Sequence, residues 1–122
     1  MGLDMFAYKT KRKLKSEVDF TDGKSDKEIM YWRKHPNLHG WMESLYYQKG
    51  GKHETFNCVP VELNEKDLKK LKKAVKENSL PMTDGFFFGE TDGSEKLDDL
   101  KFIKEAEDAI KNGYRVYYSS WW

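Results

Sequence analysis

The sequence predicts a single α+β domain over residues 1–122, with a mainly antiparallel or mixed four-stranded sheet and helices packed on one side of it. Two observations carry this. Leu3, Met5 and Ala7 alternate with Asp4, Phe6 and Tyr8, and the chain closes on the aromatic run Tyr114 to Trp122, so strand-like segments stand at both ends. Between them, Leu68, Leu71 and Val75, and then Leu97, Leu100, Ile103, Ala106 and Ile110, recur at helical spacing. No internal repeat and no second domain is visible.

The elements follow in order. Residues 2–9 read as the first strand, and residues 10–25 as an excursion or long hairpin turned by Asp22-Gly23. Asp26 or Ser25 is placed to cap a helix starting near Lys27, with Glu28 in its first turn. Pro36 has no amide hydrogen and disfavours a helical His35, which divides residues 27–48 into two helices meeting at the proline. The second carries the apolar stripe Leu38, Trp41, Met42 and Leu45, and Gly50-Gly51 closes it. Residues 55–63 read as an edge or bulged strand because of Pro60. Asn64, Glu65 and Asp67 open the next helix, Gly85-Phe86-Phe87-Phe88-Gly89 suits a buried strand, and Ser94 with Glu95 opens a last helix that ends at Asn112-Gly113. The order is β-α-α-β-α-β-α-β, with the first and last strands expected as neighbours in the sheet centre.

Composition narrows the function classes. Charged residues make up 35% of the chain but sum to a formal +1, so no overall field draws it to nucleic acid. The lysine-rich runs at 9–15 and 69–76 read as a solvated loop and a solvated helix face. One cysteine, Cys58, excludes an internal disulfide, and no apolar run has the length of a membrane span or signal segment, so an intracellular soluble protein is expected.

Candidate chemistry concentrates in residues 31–42. His35 and His39 are four apart, but the proline between them spoils a shared metal site, so no metal and no cofactor is expected. Cys58 in a β-rich run reads as a small buried hydrophobe rather than a nucleophile, and no phosphate-binding glycine loop or serine-hydrolase turn occurs. What remains is Trp32, Arg33, Asn37, His39, Tyr117, Tyr118, Trp121 and Trp122, with Trp41 assigned to the core. Flat rings, a guanidinium fork and an amide suit a stacking surface for a nucleotide-like ligand or a peptide. Trp121 and Trp122 at the end of the sequence must either pack back on the domain or bind something.

Gly2-Leu3-Asp4-Met5, Tyr31-Trp32-Arg33-Lys34, Leu38-His39-x-Trp41, Gly85-Phe86-Phe87-Phe88-Gly89 and Tyr117-Tyr118-Ser119-Ser120-Trp121-Trp122 together resemble, nearly end to end, a family of small uncharacterised proteins of tailed bacteriophages and some bacteria. Members are sometimes labelled phosphoglycerate kinase; this chain is too short for that enzyme's two domains and has no phosphate loop. The resemblance implies an accessory phage product in the host bacterial cytoplasm, without a role for any residue.

The leading expectation is a binding protein that captures a host protein or a small nucleotide-like ligand at the aromatic and basic corner. Two others compete: a small nucleotide-processing enzyme with His39 as general base and Arg33 as anion clamp, and a single-stranded nucleic-acid binder. No membrane partner is expected.

Overall fold

A computed structural model describes residues 3–21, 23, 25–33, 35–80 and 96–122. Their elements are β1 (Asp4–Thr10), β2 (Lys27–Arg33), α1 (Pro36–Gln48), β3 (Val61–Leu63), α2 (Glu65–Lys76), α3 (Lys96–Lys111) and β4 (Arg115–Trp121). The four strands form one antiparallel sheet in the order β2-β1-β4-β3, so the first and last strands are indeed central neighbours. The class is α+β. The Gly85 to Gly89 strand and the Ser94 cap expected from sequence lie outside the described residues.

Alternation along the strands separates the two sheet faces. Met5 stands opposite Trp32 on one side and Ser120 on the other, and Ala7 stands between Met30 and Tyr118. These residues, with Val61, Leu63 and Val116, line the face covered by the helices, which contribute Leu38, Met42, Leu68, Leu71, Phe102 and Ile103 to the same core cluster.

One element differs in kind from the sequence reading. Residues 27–33 are a strand, not the first of two helices. Ile29, Tyr31 and Trp32 favour a pleated, half-buried surface, and a period of two puts Met30 and Trp32 inward with Tyr31 and Arg33 outward. A cap signal alone did not outweigh that pattern. Pro36 instead sits at the first position of α1, where its missing amide hydrogen costs nothing. The kinked helical pair therefore does not exist.

The helices show how local chemistry fixes their ends. In α2, the Asn64 side chain accepts from the Asp67 amide at 2.9 Å while Asp67 accepts from the Asn64 amide at 3.0 Å, a reciprocal capping box. Asn64→Ala is expected to lower stability by about 1 kcal/mol, read from urea unfolding; no change would contradict the cap's contribution. Asp67 also receives Lys49 Nζ at 2.5 Å, which ties the end of α1 to the start of α2. Gly50 adopts φ +94 after α1, and Gly51 lies so close to the buried Tyr46 ring that an added Cβ would stand 2.2 Å from it.

In α3 the buried set is Asp99, Phe102, Ile103, Ala106 and Ala109, whereas Leu97, expected on the apolar stripe, is 79% exposed. The cause is Asp99. Its carboxylate accepts from Trp32 Nε1 at 3.1 Å and meets His35 Nε2 at 2.7 Å, all three residues buried, so the helix is rotated to bring an acid inward. The expected strand at 55–63 is reduced to Val61–Leu63 because Cys58 takes φ +61 and Pro60 cannot donate to a ladder.

Candidate functional site

The sequence-selected residues do not converge on one corner. Trp32 is 5% exposed and holds Asp99; Tyr118 is fully buried on the helix-covered face. His39 is 1% exposed, with Nδ1 2.7 Å from the Tyr118 hydroxyl and its ring packed among Phe56, Tyr118 and Trp122. Trp122 is folded back: its amide and carbonyl bond Asn57, and its Nε1 donates to the Phe56 carbonyl at 2.9 Å. Asn37 is half-buried in the first turn of α1, and Trp41 is partly buried against the core. Only Arg33 and Trp121 are exposed. The reason is the β2 assignment: a strand sends Trp32 and Arg33 to opposite faces of the sheet.

His39 is consequently a core residue. Burial pushes its pKa down to about 4 from 6.5, so it is neutral at pH 7. A general base must reach the proton it takes, and no substrate could approach this imidazole without displacing Phe56, Tyr118 or Trp122. The depressed value has a stability consequence. The native state favours the neutral form, so the contribution is complete above pH 6.5 and is lost as pH falls toward 4, by about 3 kcal/mol in all. Urea midpoints measured at pH 7 and pH 4.5 are expected to converge in His39→Gln relative to the parent. An identical acid dependence in both proteins would refute the assignment.

The histidines also fail to share a centre, since His35 is committed to Asp99 and His39 to Tyr118. Among the described residues no group of three His, Cys, Asp or Glu side chains could hold a metal ion. Cys58 is exposed rather than buried, because the left-handed backbone there turns its side chain out of the core while its amide bonds the Ser120 carbonyl.

The surface that the sequence reading overlooked is the other face of the sheet. Register brings Phe6 opposite Tyr31 on β2 and Ser119 on β4, Tyr8 opposite Glu28 and Tyr117, and Asp4 opposite Arg33 and Trp121. The rings touch in series: Tyr31 to Phe6 at 5.2 Å, Phe6 to Tyr8 at 6.1 Å, Tyr8 to Tyr117 at 5.2 Å, and Phe20 edge-on to Tyr117 at 5.1 Å. The signal was present in β1, where Phe6 and Tyr8 alternate against the aliphatic set and make both faces of the strand apolar.

Among the described residues this aromatic band is covered at one end only. The connection between β1 and β2 folds back so that Asp26 receives the Tyr117 hydroxyl at 2.5 Å and Arg12 at 2.6 and 3.0 Å, with Phe20 against the Tyr117 ring. The guanidinium beside Asp26 holds its carboxyl well below the usual carboxylate range. Beyond that clasp Phe6 and Tyr8 are half-buried, Tyr31 is 45% exposed and Trp121 is 67% exposed. A depression of about 190 Å³ lies among Phe6, Tyr8, Cys58, Ser119 and Trp121.

Charge on this face is balanced. Arg33 and Arg115 stand among Asp4, Glu28 and Glu62, with Asp4 accepting from the Tyr31 hydroxyl at 2.6 Å and Glu62 3.7 Å from Arg115. Such a surface offers rings and two guanidinium forks without an electropositive field. No protein-family model, curated protein or solved structure matches this chain. No helix among the described residues is long and apolar enough to cross a membrane.

Proposed function

We propose that the protein is a non-enzymatic binding protein that captures a host protein on the open aromatic face of its sheet, acting as a phage accessory product in the bacterial cytoplasm. The observation that carries this is Trp121: a tryptophan 67% exposed on a central strand, beside Phe6, Tyr8 and Tyr31, on the face the helices leave uncovered. Tryptophan, tyrosine and arginine are the residues that dominate binding energy at protein interfaces, while lysine and glutamate are depleted there. The central part of the face has that composition.

Size and charge favour one occupant over the others. The depression beside Trp121, about 190 Å³, suits one anchoring side chain of a partner. Enclosed small-molecule sites run to about 300–1,000 Å³, so a nucleotide-like ligand fits less well. A single-stranded nucleic acid would gain stacking from the rings, but binding of a polyanion relies on a surplus of cations, and here Arg33 and Arg115 are matched by Asp4, Glu28 and Glu62.

A photocrosslinking amino acid in place of Trp121, compared with the same group in place of the exposed Tyr47 on α1, tests the reading in bacterial cells. A discrete protein adduct from position 121 and none from position 47 is expected. Identical adducts from both positions, or none from 121, would reject it.

A further inference from the structure

A second surface lies on the opposite side of the molecule from the aromatic band. The groove between α2 and α3 has a volume of about 530 Å³, with Leu100 and Ile103 at its floor and Lys72, Lys76, Lys104 and Lys111 along its walls. Glu107 and Asp108 also line it.

Among the described residues the positive charge of this groove is not balanced. On α3, Lys104 and Asp108 are four residues apart, as are Glu107 and Lys111, the spacing at which side chains on one helix pair. The four lysines outnumber the two carboxylates that line the groove. Lys72 and Lys76 of α2 have no carboxylate at that spacing: their helix carries six lysines against Glu65 and Asp67, and Asp67 is taken by Lys49 and the cap. Neither lysine forms a salt bridge to a described residue. A chain of net charge +1 thus concentrates positive charge along one helix, beside an apolar floor.

We infer that the α2/α3 groove is a docking site for an acidic amphipathic helix of a partner protein. A helix laid between two others presents its apolar stripe to the floor. Its carboxylates at positions i and i+4 stand about 6 Å apart along the axis, the same rise that separates Lys72 from Lys76. A nucleic-acid strand is the poorer occupant, because the aliphatic floor offers no ring for stacking. This surface is independent of the aromatic face, so the two can bind different segments.

The test uses the full chain and a labelled 16-residue helical peptide of alternating leucine stripe and glutamate face, followed by fluorescence anisotropy at 0.1 M salt. Binding is expected, with a loss of tenfold or more in the Lys72→Gln/Lys76→Glu double variant, checked for folding by circular dichroism. A Lys72→Arg/Lys76→Arg variant retains the charge and should bind within about twofold of the parent. A scrambled peptide of the same composition without the apolar stripe should bind at least tenfold more weakly. Equal binding of the scrambled peptide, tighter binding of a single-stranded oligonucleotide of equal charge, or indifference to the charge reversal would each overturn the inference.

Discussion

Asp99→Ala is expected to lower stability by about 3–5 kcal/mol, the largest effect of any single substitution considered. The carboxylate is buried and joins three separate elements: Trp32 on β2, His35 at the start of α1, and its own helix α3. Removing it leaves the indole Nε1 and the imidazole Nε2 without their carboxylate acceptor in a place water does not reach. Domains of this size are stable by about 5–15 kcal/mol in total, so the variant should unfold at markedly lower urea. Asp99→Asn keeps one acceptor oxygen for Trp32 and should lose less. A change below about 1 kcal/mol in the alanine variant would mean that the rotation of α3, which exposes Leu97, has some other cause.

The second large effect concerns binding and leaves the fold alone. Trp121→Ala is expected to weaken capture of the crosslinked partner by about 30-fold or more, corresponding to about 2 kcal/mol, while shifting stability by no more than about 0.5 kcal/mol. The separation follows from geometry: the indole of Trp121 is exposed, and the end of the chain is held instead by Asn57 and by Trp122 on Phe56. Salt should matter little, since the two cations on the face are matched by neighbouring carboxylates and the face carries little net charge. A tenfold loss of affinity between 50 and 200 mM salt would indicate phosphate binding and contradict capture of a protein.

The fold class, the central pairing of the first and last strands, the proline start of α1 and the Asn64 cap are all legible in sequence because each depends on neighbours within a few residues or on simple alternation. The errors share a cause. Residues 25–28 offer a helix start signal, and only the requirement that Met30 and Trp32 face Ala7 and Met5 across β1 makes the segment a strand. The inward turn of Asp99 is likewise set by Trp32 and His35, 67 and 64 residues away in sequence. A stripe of leucine and isoleucine on α3 could not reveal it.

The candidate site suffered from the same confusion of strand with helix. In a helix, Trp32 and His35, three apart, share a face near Arg33; in the structure Trp32 and His35 enter the core and Arg33 joins the outer face of the sheet. Trp121 and Arg33, named from sequence, do share that face with each other, each standing opposite Asp4. Phe6, Tyr8 and Tyr31 complete it, and their contribution was encoded in strand parity rather than in any motif.

Hydroxyl-radical footprinting of the protein alone and in a bacterial extract tests the binding face most directly, because three exposed aromatic side chains report on separate surfaces. Tyr31 and Trp121 lie on the open sheet face, while Tyr47 lies on α1. Protection of Tyr31 and Trp121 with Tyr47 unchanged is the expected result. Unaltered oxidation of Trp121, with protection appearing only at Tyr47, would contradict the assignment of the aromatic face as the site of capture.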